Sequence, residues 1–372
     1  MRTQMNLKVA GLTGSNGKTT TKEMLASILQ LAAPTLATAG NFNNDIGVPL
    51  TLLRLEPQHQ FAVIEQGANH KKEIAYTTEL AKPDVVLINN VDAAHLEGFG
   101  DLQGVAQAKG EILNALKHGA TAVLNRDDKF YKYWLRKIKP EQHISFSLQD
   151  SDAEFYADNI DFDEQGNGIF ALVSKTSTIS VHLPIAGRHN VANALAAAAM
   201  ASCFGISIEL IKQGLEQMTN VKGRLKLQQF SQQIRLIDDT YNANVASVKA
   251  AIDVLTGFTS TNILVLGDMG ELGSSTAELH QQVGSYAQQQ GLDHVYTCGV
   301  LSREAALMAG HIGRAFLDKT VLVDALYKLI TEMAPTQTVT ILFKGSRSAQ
   351  MEQAIALLTE QLNENTDKER KC

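Results

Sequence analysis

The chain has 372 residues, 44% hydrophobic and 19% charged, with a formal net charge of -6. That length accommodates two domains with separate cores, and the acidic balance argues against a nucleic-acid binder, which carries a basic excess. Three cysteines (Cys203, Cys298, Cys372) lack metal-site or disulfide-framework spacing, and no apolar leader or membrane-length apolar run is present, so the expectation is a cytoplasmic protein.

In chain order, LKVAGLTG (7–14) reads as a strand entering a glycine turn, and Met24, Leu25, Ile28 and Leu31 then recur at helical spacing. FAVIEQG (61–67), DVVLINNV (84–91) and ATAVLNRDD (120–128) are apolar runs ending in polar residues, as strands buried on both faces should be. Residues 154–185 read as a small antiparallel excursion turning at Gly166-Asn167-Gly168, and NVANALAAAAMASCFG (190–205) returns to helix. A boundary falls within MTNVKGR (218–224). Beyond it IRLIDD, NILVLGDM, HVYTCG, TVLV and TVTILFKGS read as five strands, each followed by a helical stretch. The predicted fold class is α/β: a P-loop ATPase-type parallel-sheet domain (1–221) with a small antiparallel excursion, then a Rossmann-like α/β domain (222–364) and a frayed tail (365–372). Lys18, Glu65, His95, Asp239, Asp268 and Lys344 all follow strands, where open α/β sheets bind ligands, which suggests a cleft between the domains.

The loop Gly14-Ser15-Asn16-Gly17-Lys18-Thr19-Thr20 lies between strand and helix, so its backbone N–H groups can face an anion. Lys18 would reach the β/γ-phosphates of a nucleotide and the Thr19 hydroxyl would bind Mg²⁺. Position 12 is Leu, so the spacing departs from the common P-loop pattern. Glu65, ending a buried strand, is a plausible ligand for a hard cation; His95, at a strand end before a glycine-rich loop, would alone more often be a structural histidine than a ligand. Lys109 falls on the apolar stripe Val105–Ile112–Leu116, a costly position unless it is neutralised, paired or extended to the surface. A neutral amine there could also form a carbamate with CO₂. Asn190 and Asn193 share a helical face and suit either an adenine edge or helix capping. Arg224 stands at the boundary, where domain closure could bring it to a γ-phosphate. Asp238, Asp239, Tyr241, Asn242 and Asn244 follow a strand, and Lys344, Ser346 and Arg347 lie between strand and helix, a fair site for a carboxylate or phosphate.

Together these stretches resemble the Mur ligase family of peptidoglycan synthesis. TGSNGKTTTKEM marks the superfamily, which includes folylpolyglutamate synthase; GNFNNDIGVPLTLL, EQGANHKKEI, NNVDAAHLEGFG, AKGEIL, GRHNVANALAAAA, DDTYNANVASVKAAI, LGDMGELG and KGSRSAQME follow in order, and NFNNDIGVP, DDTYNAN and GDMGELG make the resemblance specific. The resemblance implies an ATP-dependent ligase that joins D-alanyl-D-alanine to a UDP-linked muramyl tripeptide through an acyl phosphate. It implies that Lys18 and Thr19 hold ATP and Mg²⁺, that Glu65 and His95 bind magnesium, and that Lys109 is carbamylated to assist a second metal or a phosphate. Asn190 and Asn193 would face adenine, Arg224 the γ-phosphate and Asp239 the ribose. Asn41, Asn43 and Asn44 would line the substrate side, and Tyr241, Asn242, Asn244, Lys344 and Arg347 would place the dipeptide. Family members also carry an N-terminal domain that grips the UDP sugar, whereas about seven residues precede the first strand of this chain. The expectation is that the chain is truncated, that this function comes from a separate domain, or that the substrate differs. The alternatives are a non-catalytic ATP-binding module working with a partner and a folylpolyglutamate-synthase-like ligase of another acid.

Overall fold

A computed structural model describes residues 5–93, 96–219, 221–333 and 337–369, with side chains as far as 364. Two compact units emerge, Met1–Asp163 with Asn167–Thr219, and Glu164–Gly166 with Asn220–Cys372.

The first unit is built on a nine-stranded sheet. Its strands are β1 (Lys8–Thr13), β2 (Thr35–Ala37), β3 (Phe61–Glu65), β4 (Val85–Ile88), β5 (Thr121–Asn125), β6 (His143–Ser147), β7 (Phe155–Phe162), β8 (Asn167–Ser174) and β9 (Thr178–Ala186). They lie in the order β2-β3-β1-β4-β5-β6-β7-β8-β9. Pairings from β2 to β7 are parallel, and β7-β8-β9 form an antiparallel meander. The antiparallel excursion is therefore an extension of the main sheet. The parallel strands β3 and β4 are buried at every position, which explains their unbroken apolar runs. The helix Arg188–Cys203 packs against β4, β5 and β6 with a long buried run of small residues, Ala194 and Ala196–Ala199 among them.

The second unit carries β10 (Lys226–Gln229), β11 (Ile234–Asp239), β12 (Thr261–Gly267), β13 (His294–Cys298), β14 (Gly313–Phe316) and β15 (Val339–Lys344), in the order β10-β11-β15-β12-β13-β14. All pairings are parallel except β10 with β11. Chain order reverses where β15 inserts between β11 and β12, and the carboxyl ends of these strands gather Asp239, Lys344 and Asp268.

Two local expectations are corrected. TVLV (320–323) is no strand: it lies in the first turns of the helix Lys319–Met333, and GRAF supplies the strand instead. The Asp318 carboxylate accepts N–H bonds from Thr320 (2.7 Å) and Val321 (3.1 Å), an N-cap that outweighs the β-propensity of the run. Leu322, Val323, Leu326 and Ile330 then meet the core at helical spacing. The stripe through Lys109 is likewise not one α-helix. The helix Leu102–Lys109 passes into a 3₁₀ helix, Gly110–His118, while Val105, Lys109, Ile112 and Leu116 all stay buried. At the other end of the chain, the helix Glu352–Glu369 runs into the stretch expected to fray.

Candidate active site

The phosphate loop leaves β1, an interior strand between β3 and β4, and opens the helix Lys18–Ala32. Gly17 takes φ 76°, and a Cβ there would sit 2.3 Å from Asn193 Oδ1 and 2.6 Å from Asn89 Nδ2, so only glycine fits. The loop is pinned from the end of β4. Ser15 N–H donates to the Asn90 carbonyl (3.0 Å), Asn16 N–H to Asn90 Oδ1 (2.7 Å), and Asn16 Nδ2 to Asp92 Oδ2 (2.9 Å). Lys18 Nζ arches back to the carbonyls of Gly14 (2.7 Å) and Ser15 (3.1 Å). Thr20 is buried in the first helical turn.

Parallel pairing sets Leu12 of β1 against Glu65 of β3 and so brings the end of β3 beside the loop. Thr19 Oγ1 donates to Glu65 Oε1 at 3.2 Å, and Asn43 Nδ2 donates to the same oxygen at 2.8 Å. Glu65 is 1% exposed, yet its Oε2 has no hydrogen-bond partner. Lys109 is fully buried; its Nζ has no hydrogen-bond partner and lies 5.8 Å from the Phe99 ring centroid. Burial pushes its pKa down to about 7; Lys18 adds to the fall, while Glu65, Glu73 and Glu111 oppose it. An orphaned carboxylate oxygen and an orphaned amine, both buried, are costly features for a folded chain to keep.

Hard oxygen donors suit Mg²⁺, and the Thr19 hydroxyl with Glu65 supplies them at the start of the phosphate helix. His95, the third expected ligand, lies outside the described residues, and among those residues no three His, Cys, Asp or Glu side chains gather as a metal centre.

The remaining expected site residues fall into different surroundings. Asn43 is tied to Glu65, and Asn44 Oδ1 accepts from Gly47 N–H (2.7 Å) at the start of the helix Gly47–Leu53, while Asn41 is exposed. Asn190 and Asn193 do not stand open to a base: both are buried and their amides bond within the protein, to Ala186, to each other and to Asn89.

In the second unit the register places Asp239 directly beside Lys344, and the two form a buried ion pair. Leu225 N–H also donates to Asp239 Oδ1 (3.2 Å), and Lys344 Nζ to the Asn242 carbonyl (3.0 Å). Asp239, expected at a ribose, and Lys344, expected at a dipeptide, thus meet each other as counter-ions. Asn244 caps the helix Val245–Thr256 through Ser247 N–H (2.9 Å), and Asn242 Oδ1 accepts from Ala243 N–H (2.9 Å). The Arg224 guanidinium stacks 4.3 Å from the Tyr241 ring centroid. Arg347 is exposed and pairs with Glu352 at 2.7 Å.

A feature that motif reading missed is a cavity of about 510 Å³ at the carboxyl ends of β12, β13 and β14. Asp268, Asp318, Lys319, Thr320, Ser348 and Gln353 give it a polar rim over Cys298, Gly299, Ala349 and Leu357. Asp268 Oδ1 accepts from Leu301 N–H (3.1 Å) and Ser302 N–H (2.7 Å), and backbone N–H bonds from Val321 and Thr320 hold the Asp318 carboxyl below its ordinary range. Asp268 already stood out by its place after a strand; the other rim residues carry no local signal, because three separate strand ends bring them together.

Comparison with known proteins agrees with this architecture. The Mur ligase middle domain matches residues 12–201, and the Mur ligase glutamate ligase domain matches residues 223–347. The UDP-N-acetylmuramoyl-tripeptide–D-alanyl-D-alanine ligase of Escherichia coli K12 is 46% identical over 360 residues, covering 97% of this chain and 78% of that protein. The Bacillus subtilis ligase of the same name is 34% identical over 367 residues, covering 96% and 77%. A crystal structure of MurF from Acinetobacter baumannii superposes with TM-score 0.92 at 42% identity, covering 96% of this chain and 78% of that one. MurF from Thermotoga maritima in complex with ADP gives TM-score 0.85 at 26% identity, covering 98% and 82%. The chain belongs to the Mur ligase family.

Proposed function

We propose that this ligase joins D-alanyl-D-alanine to the terminal carboxylate of UDP-N-acetylmuramoyl-tripeptide at the expense of ATP, in the cytoplasm. One observation carries the reading: Glu65 and Lys109 keep buried, unpartnered polar atoms beside a preorganised phosphate loop. Such atoms fit a site completed by ligand, and the relatives' shared name supplies the substrate class.

In this reading the N–H groups from Gly17 into the first turn of the helix and Lys18 would take the ATP phosphates, and Thr19 with Glu65 would hold Mg²⁺, which supplies charge neutralisation between nucleotide and acid. Lys109, held near neutrality, could add CO₂ at its amine with loss of a proton to become an anionic carbamate. A carboxylate oxygen of the tripeptide attacks the γ-phosphorus and ADP leaves. The dipeptide amine then attacks the acyl carbon, and phosphate departs from the tetrahedral intermediate as the amine loses its proton. We place the dipeptide in the cavity of the second unit, with Asp268 and Asp318 towards its ammonium and Lys319, Thr320 and Ser348 towards its carboxylate.

Protein incubated with ATP, Mg²⁺, the UDP-tripeptide and D-alanyl-D-alanine should yield a product of the combined mass less one water, together with ADP and phosphate. ATP consumption without that product, or its formation only from a pteroyl acid, would overturn the reading.

A further inference from the structure

Beneath the phosphate loop, buried asparagines form a relay with a single consistent polarity. The Ala186 carbonyl can only accept, so Asn190 must turn Nδ2 towards it (2.7 Å) and leave Oδ1 for Asn193. Asn193 Nδ2 donates to Asn190 Oδ1 (2.9 Å), which leaves Asn193 Oδ1 to receive Asn89 Nδ2 (2.8 Å). Asn89 Nδ2 also donates to the Asn16 carbonyl (3.0 Å), and the backbone carbonyl of Asn89 is held by Asn125 Nδ2 (3.0 Å). Asn89 is 2% exposed and Asn190 and Asn193 are 4% exposed, so none can exchange these bonds freely for water. The relay ends against Gly17, where an added Cβ would collide with both Asn89 Nδ2 and Asn193 Oδ1.

We infer that Asn89 is a positioning residue that fixes the phosphate loop at Asn16–Gly17 and ties it to the start of the helix Arg188–Cys203. It acts through Asn16 and Asn193, and the inference rests on the nucleotide reading of the loop. A loop that binds phosphate with backbone N–H groups gains affinity when those groups are aimed before the ligand arrives. The direction of each amide is dictated from Ala186 onward, so cutting any link loosens the same tie between loop and helix, while Asn90 still holds Asn16 through its N–H (2.7 Å) and its carbonyl (3.0 Å).

The test is calorimetric titration of ADP into the wild type, Asn89→Ala, Asn193→Ala and the double variant, with steady-state kinetics in ATP. Each single change should weaken ADP about tenfold. KM for ATP should rise by about the same factor with kcat nearly unchanged, the pattern of lost uniform binding. The double variant should also lose about tenfold rather than the product of the two losses, because both changes cut one relay. Should Asn89→Ala lose its cooperative melt, Asn89→Ser, whose hydroxyl is too short to reach both acceptors, should show an intermediate loss. Unchanged ADP affinity and KM in the singles, or single losses that multiply in the double, would overturn the assignment. A wild type that binds no ADP would instead overturn the nucleotide reading itself.

Discussion

Glu65 and Lys109 in the first unit, and Asp239 and Lys344 in the second, are two sets of buried charged residues with opposite outcomes. Asp239 and Lys344 lie side by side on paired strands and neutralise each other, with Leu225 N–H and the Asn242 carbonyl taking further bonds. Glu65 and Lys109 keep an oxygen and a nitrogen without partners. The difference lies in what the fold supplies: the second pair finds its counter-charge within the sheet, while the first leaves buried polar atoms without hydrogen bonds, the feature that the proposed function draws on.

Breaking the scaffold pair should have the largest effect on the protein as a whole. Lys344→Ala leaves a buried carboxylate alone and should cost about 3–5 kcal/mol of stability, measured by urea unfolding. Replacing both partners, as Asp239→Leu with Lys344→Met, should recover most of that loss. A double variant as unstable as the single would show that the two are not simply counter-ions.

Lys109 should behave in the opposite way. Lys109→Ala should leave the fold intact and lower turnover about 10²–10³-fold, with partial recovery on adding short carboxylates. Absence of rescue would reduce the lysine to a structural role. Its pKa falls from 10.5 to about 7 in the fold, so between those values the unfolded chain carries a proton that the folded one lacks. Stability from this group therefore rises with pH across that window, and Lys109→Met should flatten the rise. Turnover of the wild type should increase through about pH 7 as the amine becomes neutral.

A smaller effect is expected at Gly17, whose left-handed backbone and crowding leave no space for a side chain. Gly17→Ala should weaken ADP binding at least about tenfold, equal to about 1.4 kcal/mol, while the rest of the unit keeps its melting behaviour. The smallest effect belongs to Arg347, whose exposed pair with Glu352 should contribute below about 0.5 kcal/mol. Arg347→Ala should leave stability unchanged, and a rise in KM for the dipeptide would sharpen its assignment to that substrate.

The sequence reveals the first site better than the second because its signal is local. A strand, a glycine loop and a helix are contiguous, and FAVIEQG announces a buried strand with a carboxylate at its end. Lys109 is legible as a lysine on an apolar stripe, although the switch from α to 3₁₀ helix after it is not. The pairing of Asp239 with Lys344 depends on partners 105 residues apart whose register only the sheet decides. The asparagines of NVANALAAAA show a shared face but not the direction of their amides, which the Ala186 carbonyl dictates. TVLV misleads because a β-branched run can begin a helix once Asp318 caps it.

The central claim is that the uncompensated charges of the first unit serve an acid activated by phosphoryl transfer. The most direct measurement follows oxygen: supply the UDP-tripeptide with ¹⁸O in its terminal carboxylate and analyse the released phosphate by mass spectrometry. One labelled oxygen per phosphate, in step with dipeptide product, is the predicted result. Product accompanied by unlabelled phosphate would contradict an acyl phosphate, and with it the roles of Glu65 and Lys109 in activating the acid.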